Sequence, residues 1–323
     1  MLLVGAVDDV HAQNTREGDV TTFRVITPPD PNFIPMSVLR AKADEWMPGV
    51  DVELVMAPSG DPSAMRAMLY SRAADFALFS VLGGSRFVDA GISNLSLVGV
   101  HVWKGVHLLA QESVNSVRKL DAQRLIAVPA VMTPSHMVAR YALHMQGVRA
   151  DFVSGGGGPV LMAQLSRSES APLGLVAPEP MVSIILQRQQ RENWPVRYKV
   201  LMDSQAAASP QTGETPLGGL WVVEPYRVGS NKKAAQAFVD GFRRAVDYVG
   251  DPRHVDEVAD IVSVAMKEVY GQNAPASVYR SMLKSGRLGL DFRDARAVEK
   301  VVVKELKRIY GVVVDEKVFR SVF

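Results

Sequence analysis

The chain has 323 residues, a net charge of +2, 47% apolar and 22% charged residues, and no cysteine. That is enough chain for two ordinary domains, each with its own core. The near-neutral balance, with basic residues scattered rather than interleaved with aromatics, excludes a polyanion-binding surface. The missing cysteines exclude thiol nucleophiles, thiolate zinc sites, disulfides and cysteine-ligated clusters.

Met1-Leu2-Leu3-Val4-Gly5-Ala6-Val7 reads as the tail of an apolar export signal, and Val10-His11-Ala12 as a small-x-small peptidase site. No Lys or Arg precedes this stretch and Asp8-Asp9 interrupt it, so residues 1–20 are either a truncated signal peptide or a leader. No segment is long and apolar enough to span a membrane. Thr22-Phe23-Arg24-Val25-Ile26 is the first expected strand, ending in the proline loop Thr27–Asn32. A helix follows from Ile34 to Trp46, stopped by Pro48-Gly49, and Val50–Val55 alternates as a second strand. Asp61 and Pro62 have the chemistry of an N-cap and first helical residue. Asp75–Phe79 is apolar enough for a strand buried on both faces, and Leu95–Val100 is a fourth strand.

The strand–helix alternation then restarts. Leu125-Ile126-Ala127-Val128 leads into Thr133-Pro134-Ser135-His136, a cap that opens a helix through Leu143. Asp151-Phe152-Val153 ends in Gly155–Gly158, and Leu173–Val176 ends in Ala177-Pro178-Glu179-Pro180. Val106–Ala110 and Leu220–Val223 read as two apolar crossings between the sets. After Tyr226 the pattern is helical, with faces marked by Ala235, Phe238, Val239, Phe242, Ala245 and Val246, then Val258, Ile261, Val262 and Ala265, then Val298, Val301, Val302 and Ile309. The expected fold is therefore α/β and two-lobed, each lobe a mainly parallel sheet flanked by helices. Residues 21–105 with 220–323 form the first lobe and residues 106–219 the second. Ligands in such sheets sit outside the carboxyl ends of the strands, here in the cleft between lobes.

The run Glu112–Asp121 followed by Leu125-Ile126-Ala127-Val128-Pro129 resembles the second-lobe entry of periplasmic solute-binding proteins of ABC transporters, the nitrate/sulfonate/taurine and thiamine-pyrimidine-precursor type with the type II fold. Asp75-Phe76-Ala77-Leu78, Ala177-Pro178-Glu179-Pro180 and Asn231–Val249 are similar to further segments of that family, in the same order, over roughly Thr22 to Val249. The resemblance implies a soluble, periplasmic or extracytoplasmic monomer that closes about a hinge on a small ligand and docks on a membrane permease. It implies neither cofactor nor nucleic-acid partner. The cysteine-rich motif of the pyrimidine synthases of this fold is missing.

Candidate ligand-binding residues lie at the expected strand tips. Pro29, Asn32 and Phe33 follow the first strand, as cleft floor or as a proline turn. Ser59 and Gly60 follow the second, and Ser80 ends the third. Thr133, Ser135 and His136 either cap their helix or donate to a ligand along with its free amides. Gly156 sits in a glycine run that lacks the Lys-Ser/Thr of a phosphate loop. Glu179 is an acceptor for an amine or hydroxyl, or a charge at a helix start. Trp103 stacks on a ligand or packs at the hinge. His101, His107, His136 and His144 lack a third convergent ligand, so no metal site is expected. No Gly-x-Ser-x-Gly elbow is present and no catalytic residue is assigned. The alternative is a cytosolic enzyme on the same fold, resembling menaquinone-pathway lyases, with Glu179 or Asp30 as its carboxylate. An effector-sensing module of a regulator is disfavoured, because no helix-turn-helix pattern precedes the first strand. The expected ligand loops contain no Lys or Arg, which points to a small organic or mono-anionic solute.

Overall fold

The computed structural model describes residues 20–57, 62–156, 158–169 and 171–320. Its strands are β1 (Thr21–Thr27), β2 (Val50–Met56), β3 (Phe76–Ser80), β4 (Ser96–Lys104), β5 (Val106–Gln111), β6 (Arg124–Ala127), β7 (Asp151–Ser154), β8 (Gly174–Pro178), β9 (Tyr198–Asp203), β10 (Gly218–Val222) and β11 (Gly289–Asp294). They form two sheets, ordered β11-β4-β10-β3-β1-β2 and β7-β6-β8-β5-β9. Each is the centre of one α/β lobe. Pairing is parallel among β2, β1 and β3 and among β7, β6 and β8. It is antiparallel where β10 and β5 run back through the sheets. The segments expected as crossings are thus inner strands. The chain itself crosses at Gly105 and again between β9 and β10.

The helices are α1 (Phe33–Ala41), α2 (Ala43–Trp46), α3 (Pro62–Tyr70), α4 (Val81–Asp89), α5 (Pro134–Met145), α6 (Gly158–Leu165), α7 (Met181–Arg191), α8 (Ser204–Ala208), α9 (Pro225–Ser230), α10 (Lys232–Gly250), α11 (Val255–Tyr270), α12 (Ala276–Lys284) and α13 (Ala295–Tyr310). The run expected from Ile34 to Trp46 breaks at Lys42 into α1 and α2. The C-terminal third is not helical throughout, because β11 pairs with the edge of β4. Among its residues only Phe292 is buried, which leaves little apolar signal to read. On α13, Val298, Val302 and Ile309 face the core while Val301 stands out at 46% exposure.

One face of the first sheet is covered by α1, α10, α11 and α12, around Phe23, Phe76 and Phe238. The Phe76 and Phe238 rings stack at 4.4 Å. The other face shares one continuous core with the second lobe. Phe79, Leu97 and Trp221 belong to the same cluster as Leu108 of β5, Val138 and Ala142 of α5, and Val302 and Leu306 of α13. α6 and α7 cover the remaining face of the second sheet through Leu161, Leu165, Val182 and Ile185. No described helix is long and apolar enough to cross a membrane.

Candidate functional site

Strand direction places the site. Gly218 at the start of β10 lies opposite Ser80 at the end of β3 and Val102 near the end of β4. β1 and β2 run parallel to β3, so all these carboxyl ends flank the crossing at Gly105. In the second lobe Val106 lies opposite Pro178. This brings the carboxyl end of β8, and with it those of β6 and β7, to the same crossing. Helices α4, α5 and α7 begin at these tips, so their N-terminal amides and positive dipole ends point toward the interlobe gap.

The two crossings are tied by one side chain. Gln205 on α8 is fully buried. Its Nε2 donates to the carbonyls of Trp103 at 2.7 Å and Thr215 at 3.1 Å, and its Oε1 accepts the Val106 amide at 3.0 Å. Gly105 has φ +155, and a Cβ there would lie 3.3 Å from Leu288. Its carbonyl accepts the Glu179 amide at 2.8 Å. A residue with few backbone restrictions suits this junction.

In the first lobe the proline loop is held by Asp30. Its Oδ1 accepts the Asn32 amide at 2.9 Å and Asn32 Nδ2 at 2.7 Å. Burial pushes the Asp30 carboxyl up to about 7, against the lowering effect of those two bonds. Asn32 Oδ1 is buried with no donor and abuts Gly218, where a Cβ would fall 2.1 Å from it. Pro29 is half-buried, whereas Phe33 is buried with its ring 5.2 Å edge-on from Tyr270. Ser80 accepts the Gly83 amide at 2.9 Å and so acts as the cap of α4. Ser59 and Gly60, with the expected cap Asp61, lie outside the described residues.

In the second lobe Thr133 caps α5. Its hydroxyl donates to the Ala130 carbonyl at 2.8 Å and accepts the His136 amide at 3.4 Å. His136 Nδ1 accepts the Met132 amide at 3.0 Å, which puts the ring proton on Nε2. Burial lowers its pKa, so the ring is neutral and locks the turn, edge-on to Phe152 at 4.8 Å. Ser135, on the same first turn, is 7% exposed, and its hydroxyl makes no hydrogen bond within the described residues. Gly156 has φ +71, a conformation glycine adopts without strain.

Glu179 is fully buried and fully engaged. Its carboxylate accepts Ser183 N at 3.1 Å, Ser183 Oγ at 3.2 Å and Arg287 Nε at 2.6 Å. Arg287 Nη2 also donates to Ser183 Oγ at 2.8 Å, and the Arg287 carbonyl accepts His107 Nε2 at 3.0 Å. Burial lowers the His107 pKa and keeps that ring neutral. Trp103 is 2% exposed, with its indole N–H on the Asp291 carbonyl at 2.8 Å and the Arg293 guanidinium 4.1 Å over its ring. Its place is in the hinge packing.

The structure thus brings Asn32, Ser80, Ser135, His136, Gly156 and Glu179 to the tips around one crossing. Gln205 and Arg287, which no sequence pattern marks, join them there. Among the described residues no three His, Asp or Glu side chains converge to hold a metal ion. Surface grooves lie elsewhere: one beside β2 with Arg40, Asp51 and Glu268, another between α7 and the loop before α12.

No protein-family model and no curated protein matches the chain. Solved structures do. An ABC transporter protein from Parabacteroides distasonis is similar at TM-score 0.67 and 16% identity, over 93% of this chain and 99% of that one. The periplasmic aliphatic sulphonate binding protein SsuA from Escherichia coli is similar at TM-score 0.62 and 16% identity, over 90% and 99%. The periplasmic nitrate-binding protein NrtA from Synechocystis PCC 6803 is similar at TM-score 0.57 and 15% identity, over 82% and 70%. The chain has the two-lobed fold of these binding proteins.

Proposed function

We propose that the chain is the solute-binding component of an ABC importer. It captures a small organic or mono-anionic ligand between its lobes, closes about the crossings at Gly105 and before β10, and delivers the ligand to a membrane permease. It acts as a monomer on the outer side of the membrane. The reading rests on one observation: strand tips and helix N-termini of both lobes meet at a single hinge, in a fold shared with nitrate- and sulphonate-binding proteins.

Closure by a ligand requires that the ligand bind the closed arrangement better than the open one, which a site divided between two lobes provides. Asn32, Ser135 and Gly156 are assigned to the ligand, with Pro29 and Phe33 as the apolar floor and Ser59 and Gly60 completing the first-lobe side. Ser80, Thr133 and His136 support the site by shaping the helix starts, and Glu179 by fixing the lobe arrangement. Micromolar affinity corresponds to about −8 kcal/mol, within reach of a few buried hydrogen bonds and one apolar wall.

The test is a thermal-shift screen against small organic and mono-anionic solutes, followed by small-angle scattering with each stabilising solute. A bound solute at 100-fold its Kd stabilises by about 2.7 kcal/mol and raises Tm, and the radius of gyration falls on closure. A panel in which no solute raises Tm, or a bound form of unchanged shape, overturns the proposal.

A further inference from the structure

We propose that Asp30, in the proline loop after β1, pairs with a protonated nitrogen of the solute, an amine or an amidine, and is the residue that selects for it. The inference rests on the solute-binding reading and adds to it the chemistry of the group held on the first-lobe side.

The loop between Thr27 and Phe33 spends its donors on itself and is left with acceptors. Pro28, Pro29 and Pro31 have no N–H. The Asp30 amide goes to the Pro28 carbonyl at 2.9 Å, and the Phe33 amide to the Asp30 carbonyl at 3.0 Å. The Asn32 amide and Asn32 Nδ2 both go to Asp30 Oδ1. The flanking Thr27 hydroxyl donates to the Pro28 carbonyl at 3.4 Å. Two side-chain oxygens remain. Asp30 Oδ2 has no partner among the described residues. Asn32 Oδ1 is buried without a donor, on a residue 4% exposed. An acceptor left unpaired in a buried place is costly, and a group that brings several N–H bonds removes that cost.

The charge of that group follows from the setting of Asp30. Asp75, Glu179 and Glu305, the buried carboxylates elsewhere in the protein, each pair with an arginine: Arg227, Arg287 and Arg308. Asp30 forms no ion pair among the described residues. Arg86 of α4 reaches the second lobe instead, with Nη1 at the Met132 carbonyl at 3.5 Å and Nη2 at the Met137 sulfur at 3.6 Å. Tyr270 of α11 acts on Asp30, but burial holds its phenol protonated and its hydroxyl donates to the Thr27 carbonyl. With only the two Asn32 bonds to favour the ionised form, burial prevails and the carboxyl is raised to about 7. A cation placed against Oδ2 favours the ionised form again.

The loop stands where such a group is useful. Pro31 Cγ lies 3.9 Å from the place a Cβ would take at Gly105, and Asn32 Oδ1 2.1 Å from that at Gly218. Asp30 is thus flanked by residues that touch both the crossing at Gly105 and the start of β10, and it keeps part of its surface exposed.

The experiment measures affinity of the full chain for short alkylamines, amino alcohols and amidines by thermal shift and titration calorimetry. Alcohols, amides, carboxylates and sulfonates of matched skeleton are run alongside. At least one amine or amidine is expected to bind more tightly than its matched alcohol. Asp30→Asn keeps Oδ1 for the Asn32 amide and removes the charge, and should weaken the amine about 10- to 100-fold, as expected for loss of a charge-assisted hydrogen bond. An alkylamine stays protonated up to about pH 10. Wild-type affinity for it should therefore fall about tenfold per pH unit as pH drops below about 7, where Asp30 takes up its proton, while the matched alcohol shows no such slope. This wild-type profile decides the matter even where Asp30→Asn fails to fold. Amine-free solutes binding while no amine or amidine does overturns the assignment and leaves solute binding standing. Amine binding with no pH slope, or unchanged in a folded Asp30→Asn, overturns it as well. A panel in which nothing binds overturns both.

Discussion

Glu179 of the second lobe and Arg287 of the first form a buried ion pair at 2.6 Å across the interlobe boundary, with side chains 0% and 20% exposed. Ser183 lies against both partners, so each charge has a second hydrogen-bonding group. Removing one partner of such a pair leaves the other charged and dry, which costs about 3–5 kcal/mol. Arg287→Ala is expected to destabilise by that amount in urea denaturation. The double variant Glu179→Gln with Arg287→Ala should lose clearly less than the two single losses added together. Strict additivity would mean that the pair does not couple the lobes.

Arg308 of α13 makes a comparable reach into the second lobe. It donates to Tyr141 Oη at 3.0 Å on α5 and to the Ala208 carbonyl at 2.6 Å on α8. Arg287 and Arg308 both come from the C-terminal third of the chain and both hold parts of the second lobe. That third is therefore a strap joining the lobes as well as a covering for the first sheet.

Gln205 offers a local probe of the hinge. Truncation to Ala orphans the Val106 amide and the Thr215 carbonyl and takes from the Trp103 carbonyl one of its two donors, the Thr215 amide remaining, all at the crossings. Each buried orphan costs about 1–3 kcal/mol, although water entering the gap offsets part of this. Hydrogen exchange at the Val106 amide should speed up in Gln205→Ala well beyond any change in β1 or β3, because the damage is confined to the hinge. Uniform acceleration across both sheets would instead indicate global destabilisation.

Local chemistry made the α5 cap legible from sequence: Thr133, Pro134 and the apolar run after them sit within one turn of each other. β3 was legible for a similar reason, since four consecutive apolar residues are buried on both faces. The partners of Glu179 and Gln205 were not. Arg287 is 108 residues from Glu179, and Trp103 is 102 residues from Gln205, distances over which no periodic pattern carries information. β11 was missed because an edge strand with one buried residue has no alternation to read. Arg86 stands on α4 rather than in a strand-tip loop, so no loop pattern marks it.

Acid stability should show groups with oppositely shifted pKa values working against each other. His101 is fully buried beside Phe242, both ring nitrogens lack partners, and burial lowers its pKa to about 3. An unfolded histidine titrates near 6.5, so between 6.5 and about 3 the unfolded chain binds the extra proton. Stability contributed by this residue falls as pH falls through that window, by up to about 1.4 kcal/mol per pH unit. Asp30 has the opposite sign. Its folded carboxyl is raised to about 7 from 3.8, so the native state binds the extra proton between those values, and its stabilisation is present at low pH and lost as pH rises toward 7. Where the windows overlap the two slopes offset. Asp30→Asn should therefore steepen the loss of stability below pH 6.5. His101→Leu, which also removes two unpaired buried nitrogens, should flatten the loss of stability between pH 7 and pH 4.5, with His107 and His136, whose pKa values burial also lowers, keeping part of it. Chemical denaturation of the wild type and both variants across pH 4–7.5 checks this, and parallel pH profiles for all three would refute it.

Gly218 is where the first-lobe floor is most sensitive to volume. A Cβ at that position would lie 2.1 Å from Asn32 Oδ1 and 2.7 Å from Val102 Cγ2. Val102 is 1% exposed, so it has little room to move. Gly218→Ala must therefore displace Asn32, at an overpacking cost of about 1–3 kcal/mol. Because Asn32 is bonded through Asp30 to the whole proline loop, the displacement carries into the cleft floor. The expected outcome is a folded protein with a modestly lowered Tm and a larger proportional loss of solute affinity. The size of the affinity loss relative to the Tm loss is the deciding measurement. A variant that loses stability but binds solute as tightly as the wild type would place the ligand away from Asn32.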